Sequence, residues 1–386
     1  MTHTSRLRHT AVRLWAGVCL VALCTALSAQ AQQPPRHKVD PDWPKPLPNT
    51  WKMQGVTGLA VDKNDNIWVL TRPSDATDLE VHAALNPPIA ECCVKPAEMI
   101  HFDQSGNVIG WFEAKEGHGM DVDSQGFVYI GSDTVRKYDP KDGKVIKEVA
   151  RVPEPTPDAA ALANLTPAAR EATITAFRAK YPPSTPMIAS NLEEIRIDEP
   201  AREMYVADSY LGGRVLVFDL DTFAFKRGWG AYGKPLSQIS TNDADREYTP
   251  GGPMPKEFRG HLTLNFSNDG LVYAADRNAN RIHVTTKEGK FLKEFVLAPL
   301  TGDRGSTGGV AFSPDAKQQY LFISDIVNNT IWFLNREDGK VVGRLGSMGD
   351  NGGLFFGLHM IATDSKGNIY TGEVRQKRVQ RFLQVE

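Results

Sequence analysis

One phrase in this chain, Gly117-His118-Gly119-Met120-Asp121-Val122-Asp123, is followed by a Gly-containing turn and then by Phe127-Val128-Tyr129-Ile130. Variants of it begin at Thr57, Glu193, His261, Gly308 and His359, and Asp62, Asp198 and Asp364 stand where Asp123 stands, five positions after the leading residue. Six copies, spaced by 61, 75, 68, 47 and 51 residues, make this a repeat protein. In such a chain each copy buries its apolar face only against its neighbours.

Each copy reads as short strands separated by tight turns. A first strand (58–61, 119–122, 194–197, 262–265, 309–312, 360–363) meets a turn such as Asp364-Ser365-Lys366-Gly367. A second follows, rich in β-branched and aromatic residues, then an alternating third such as Thr330-Ile331-Trp332-Phe333-Leu334, then an Asp/Gly turn and a fourth. Short strands in evenly repeated sets of four predict an all-β, six-bladed β-propeller. Copy six stops after its third strand, 378–382, so the leading segment 38–43 is expected to supply the missing outer strand and remove the open edges. Three insertions interrupt the rhythm: 73–97, which holds Cys92 and Cys93; 152–189, with a helix predicted over 167–181; and 231–257, which reads as a loop. Loops of that size often overlie one face of a ring and wall in a pocket.

The N-terminus reads as a signal peptide, 1–31: Arg6, Arg8 and Arg13, an apolar run over 14–27 too short for a bilayer, and Ala29-Gln30-Ala31 as cleavage site. The expectation is a secreted or periplasmic propeller over 32–386, monomeric and free of the membrane once cleaved. Removing three arginines and no acids takes the formal charge from −2 to −5. With no basic tract, nothing recommends a nucleic acid or an anionic membrane as partner. Cys92 and Cys93 lack the C-x-x-C spacing of thiol oxidoreductases, and in an oxidising compartment they read as a loop staple.

The position that opens each copy is occupied in turn by Thr57, His118, Glu193, His261, Gly308 and His359. In a six-bladed ring alternate blades lie a third of a turn apart, so His118, His261 and His359 would face the central channel as a three-fold set. Three imidazoles and an open position form the ligand set of a catalytic zinc or similar divalent metal. The chain after residue 31 has seven histidines, so abundance does not explain the pattern, although any one alone reads as a polar residue facing a wet channel. Glu193 at the same register is a further ligand, a partner of the ligands, or a channel carboxylate. Aligning the second strands on their aromatics puts Arg72, Asp133, Ser209 and Arg277 at one register, and the two arginines suit capture of a substrate carboxylate. The competing reading of Arg277 is an ion pair with Asp276 or Asp325. Tyr210, one position beyond that register, is expected to have a depressed pKa beside a metal and two guanidiniums and to act as a base.

The repeats resemble NHL repeats. With three histidines, two arginines and a tyrosine, the chain is similar over nearly its whole length after residue 31 to the peptidyl-α-hydroxyglycine α-amidating lyase family. That resemblance implies a six-bladed propeller with zinc on its axis, held by His118, His261 and His359, and an active site completed by Arg72, Arg277 and Tyr210. The implied reaction is N–C bond cleavage at a hydroxyglycine, releasing glyoxylate and an amide, with the hydroxyl on the metal and tyrosine as base. In that family an acidic residue follows the third histidine and serves a structural calcium. Here Met360 stands there, which leaves calcium doubtful even if the carbonyls of Leu59 and Met120 contribute. The long insertions also differ, so the expectation is a metal-dependent lyase or related hydrolase acting on a small carboxylate-bearing substrate. The alternative is a non-catalytic propeller that binds a protein or glycan on its loop face. A lactonase-like propeller would want a carboxylate-rich calcium centre, for which Glu193 is a lone candidate.

Overall fold

The aspartate that recurs in the repeat ties a tight turn to the aromatic of the following strand. In the computed structural model, which describes residues 1–2, 33–157, 159–302 and 304–385, Asp62 accepts from the backbone N–H groups of Asn64 and Asn66 and from the Trp68 indole at 3.2 Å. Asp123 does the same for Gln125, Phe127 and the Tyr129 hydroxyl, and Asp364 for Lys366, Asn368 and the Tyr370 hydroxyl. One carboxylate has enough acceptor sites for all of these donors.

Among the described residues the strands form six four-stranded antiparallel sheets. Blade one is Gly55–Val61, Ile67–Arg72, Met99–Phe102 and Val108–Phe112, and blade two is Met120–Val122, Val128–Gly131, Val135–Tyr138 and Val145–Glu148. Blade three is Leu192–Asp198, Glu203–Asp208, Arg214–Asp219 and Phe225–Trp229; blade four is Leu262–Phe266, Leu271–Asp276, Arg281–Thr286 and Phe291–Val296. Blade five is Val310–Phe312, Tyr320–Asp325, Thr330–Asn335 and Val341–Leu345. Blade six takes Leu358–Thr363, Ile369–Glu373 and Arg378–Val385 from the C-terminus and Arg36–Val39 from the other end of the chain. The last pairing, with Arg36 opposite Val385 and Val39 opposite Phe382, is the expected closure, two residues earlier than the sequence suggested.

The innermost strands touch in cyclic order, blade six meeting blade one. The core is divided accordingly among the blade interfaces. Leu70, Phe112, Met120 and Ile130 pack between blades one and two, and Val56, Phe102, Met360 and Tyr370 between blades six and one. Strand side chains alternate between faces, and both faces of these sheets meet a neighbour, so second strands such as Ile67–Arg72 and Val128–Gly131 are largely apolar on both sides.

Of the insertions, 73–97 winds through short 3₁₀ turns, and Cys92 and Cys93 are joined as a disulfide. The helix predicted over 167–181 is Pro167–Lys180, capped by the Thr166 hydroxyl with proline in its first turn, and a short helix, Ala159–Ala163, precedes it. The segment 231–257, read as a loop, contains the 3₁₀ turns Ala231–Gly233, Leu236–Gln238 and Asp243–Arg246. The signal-peptide reading falls, apart from residues 1 and 2, outside the described residues. Among the described residues no helix is long and apolar enough to cross a membrane.

Candidate functional site

The start of the innermost strand is where the repeat departs from a regular ladder. In blades one, three and six the pairing register slips at Thr57, Glu193 and His359, each the extra residue of a β-bulge. In blade two the His118 N–H donates to the Gly131 carbonyl while the Gly131 N–H donates to the Gly119 carbonyl, again two residues against one. Bulges re-aim side chains, and here they turn the register position toward the axis.

The glycines around His118 make that bulge possible. A Cβ on Gly117 would lie 1.9 Å from the Gly131 carbonyl oxygen, and one on Gly119, whose φ is +74°, would lie 2.6 Å from the carbonyl oxygen of Glu193. Gly119→Ala combines a left-handed backbone with a backbone clash and is expected to destabilise the fold by about 1–3 kcal/mol. Chemical denaturation checks it, and an unchanged midpoint would mean that blades two and three can separate here freely.

Five of the six residues singled out in the sequence meet around Glu193, which is 2% exposed. The His118 Nδ1 donates to the Glu193 carbonyl at 2.8 Å. The Glu193 Oε1 lies 2.5 Å from the Nδ1 of His261 and accepts from the Tyr210 hydroxyl at 3.2 Å. The Nε2 atoms of His118 and His359 are 3.3 Å apart. Arg277 sets Nη1 at 3.3 Å from the His359 Nε2 and Nη2 at 2.7 Å from the His261 Nδ1, with Glu193 Oε1 at 3.9 Å. Arg277 therefore does not pair with Asp276 or Asp325: Asp276 is taken by Arg281 (3.0 Å), and Asp325 by Asn328 and the Trp332 indole. Arg72 stands apart at the rim, half-exposed, with Asp75 at 3.6 Å, and its charge is felt at His118 and Tyr210. The register partners of the arginines are structural: Asp133 binds Lys115, Arg136 and Arg151, and the Ser209 hydroxyl accepts from the Leu262 N–H.

Burial dominates the electrostatics. It pushes His118 down to about 4, against the pull of Glu193, and holds His359 well below the usual imidazole range, with the neighbouring His118 and Arg277 charges adding to the effect. Burial would raise Glu193, but His261 and Arg277 outweigh it and keep the carboxylate ionised. The expectation of a depressed Tyr210 is corrected: burial first, then the adjacent Glu193 carboxylate, raises the phenol above its ordinary value, so Tyr210 holds its proton and donates it to Glu193. The backbone of Tyr210 is itself left-handed, at φ +50°, with its N–H on the Gly260 carbonyl. Strain of this kind is concentrated at functional sites.

The donor set suits a cation. A carbonyl only accepts, so the proton of neutral His118 is on Nδ1 and its Nε2 is a lone pair. Arginine only donates, so the His359 Nε2 that faces it is a lone pair as well. Two lone pairs 3.3 Å apart favour a positive charge between them. Of the buried atoms without a hydrogen-bond partner among the described residues, Glu193 Oε2 and Thr57 Oγ1 carry lone pairs as well. The third imidazole, His261, joins the other two through Glu193 and Arg277 rather than directly. Among the described residues no three His, Cys, Asp or Glu side chains already converge as a ligand cluster. The carbonyl of Met120, named above for calcium, accepts from the Arg196 guanidinium at 2.9 Å, and that guanidinium also meets Glu194 at 3.3 Å.

No family model matches the sequence, and no curated protein matches it. Among solved structures, a structural genomics protein of unknown function from Bacteroides thetaiotaomicron is similar with a TM-score of 0.51 at 14% identity, over 86% of this chain and 70% of that one. Virginiamycin B lyase from Staphylococcus aureus gives 0.45 at 12% identity over 86% of each chain. The β-propeller domain of Swd1 from Myceliophteria thermophila gives 0.47 at 14% identity over 86% and 84%. The first likeness shows a shared fold, and none of the three bears on chemistry.

The sequence puts Glu193 at the register of the histidines and leaves its role open among three readings; what it does not disclose is that its backbone carbonyl meets His118 while its side chain meets His261 and Tyr210. The signal for those contacts is Gly119, which lets the backbone of Glu193 come close beside His118.

Proposed function

We propose that this propeller is a metal-dependent lyase that breaks an N–C bond in a small, carboxylate-bearing α-hydroxyglycine compound, releasing glyoxylate and an amide. The observation that carries the reading is the convergence of His118 and His359, both presenting unprotonated Nε2 atoms, with His261, Arg277 and Tyr210 around one buried carboxylate. His118, His261 and His359 would hold the divalent ion, zinc by the chemistry of three imidazoles. Such an ion, when bound, acidifies a hydroxyl attached to it.

The side chains supply the rest. Arg277 touches two imidazoles, and among the described residues its nearest carboxylate is Glu193 at 3.9 Å, so its guanidinium retains its preference for a substrate carboxylate. Arg72 at the rim, held only loosely by Asp75, offers a second positive charge to the same anion. Tyr210, protonated and held by Glu193, would give its proton to the departing nitrogen as the C–N bond breaks; the hydroxyl carbon then becomes the aldehyde carbon of glyoxylate, and the proton it loses returns to the Tyr210 oxygen, so the step is balanced.

The test is elemental analysis of the purified protein, followed by a glyoxylate assay on an α-hydroxyglycine compound. The expected result is near-stoichiometric zinc, lost in a His118→Ala/His261→Ala double variant, with glyoxylate formed only by the unaltered protein. Metal without glyoxylate assigns the centre to other chemistry. A metal-free protein whose fold ignores the double substitution makes it a binding propeller.

A further inference from the structure

We propose that Glu193 is a positioning residue that sets the tautomers of two histidines in other blades, so that both turn Nε2 toward the pore. This rests on the metal reading above only for its consequence, not for its geometry. The bulge at Glu193 brings its backbone and its side chain to the axis together. The backbone carbonyl takes the Nδ1 proton of His118 at 2.8 Å, and a carbonyl leaves no choice of tautomer. The carboxylate faces the Nδ1 of His261 at 2.5 Å, where Arg277 Nη2 also stands at 2.7 Å. A ring nitrogen cannot donate to the first and accept from the second. The carboxylate oxygen is closer and is already an acceptor, for the Tyr210 hydroxyl, and the guanidinium has another acceptor in the His359 Nε2 at 3.3 Å. The Nδ1 of His261 therefore carries the proton and its Nε2 is bare. Metal-bound histidines are commonly fixed in this way, by a carbonyl or carboxylate on the remote nitrogen. Here one residue does it for two of them, once through each kind of oxygen.

Arg277 makes the arrangement a contest. Without the carboxylate, the guanidinium is the remaining partner of the His261 Nδ1, and it can only donate. The proton then moves to Nε2 and caps the atom that should ligate. Glutamine keeps an oxygen that accepts from Nδ1 and should preserve the wild-type state.

The experiment records long-range ¹H–¹⁵N spectra of the full chain labelled at histidine, without metal, for the unaltered protein, E193A and E193Q, with His261 assigned by its loss in His261→Ala. The expected result is an Nδ1-protonated His261 in the unaltered protein and in E193Q, and an Nε2-protonated His261 in E193A, with His118 unchanged throughout because its partner is backbone. Should E193A fail to fold, Glu193→Thr, which carries the residue of blade one at this register, replaces it. The same tautomer of His261 with and without the carboxylate overturns the proposal. Zinc titration gives the second readout, with affinity about 10–100-fold weaker in E193A and recovered in E193Q. If the unaltered protein binds no zinc, the metal reading falls, while the His261 tautomer still decides the role of Glu193.

Discussion

Tyr210→Phe is expected to lower kcat for glyoxylate release by about 10²–10⁴-fold, the range for losing a positioned proton donor, while KM and zinc content stay close to those of the unaltered protein. The ring of Tyr210 meets His261 edge-on at 4.7 Å between centroids, a contact that phenylalanine keeps, and both residues bear the same cost of a left-handed backbone at φ +50°. Only the O–H that points at Glu193 is removed. Burial and the carboxylate raise the phenol above its ordinary value, so Tyr210 keeps its proton through the neutral range, and the pH profile there should show no limb from tyrosine ionisation. An amide nitrogen is a poor leaving group until it is protonated, which puts the whole loss on kcat. A loss below about tenfold would mean that the nitrogen takes its proton from elsewhere, and a rise in KM with kcat unchanged would make Tyr210 a binding residue.

The ring was legible in the sequence because its causes are local. Asp123 and Tyr129, six residues apart, meet in one hydrogen bond, and so do Asp364 and Tyr370, so the motif could be read as a turn and a strand without tertiary knowledge. The alternation of histidines placed His118 and His359 on one axis, and the structure brings them together across 241 residues of sequence. What escaped the reading depends on competition between groups that are distant in sequence. Asp276, the neighbour that competes for Arg277 in the sequence, binds an arginine five positions further on, which frees Arg277 for the imidazoles. The lowered pKa expected of Tyr210 rests on a metal and two guanidiniums beside it. Burial raises it instead, helped by the carboxylate of Glu193, which approaches only through a bulge and a glycine in the preceding blade.

Asp276→Asn is expected to destabilise the fold by about 3–5 kcal/mol, the cost of stranding one member of a buried ion pair. Asp276 and Arg281 are both 0% exposed, joined at 3.0 Å at the end of the second strand and the start of the third in blade four. Blade three repeats the device with Asp208 and Arg214 at 2.7 Å, and blade six with Glu373 and Arg378 at 2.7 Å. The arginine also donates to the carbonyls of Pro255 and Glu257 in the 231–257 insertion, so the pair anchors that insertion to its blade. The carboxylate accepts from the N–H of Arg259, two residues before His261, so the anchor extends to the site. Once the charge on Asp276 is gone, the guanidinium has no carboxylate closer than Glu294 at 3.4 Å. Removing both partners, in Asp276→Asn/Arg281→Met, takes away the stranded charge, so the double variant should be less destabilised than the sum of the singles. Urea denaturation of the two singles and the double gives the coupling directly. Strict additivity would show that Arg281 is held by the carbonyls alone, and that the recurring acid–arginine pair contributes geometry to the blades rather than stability.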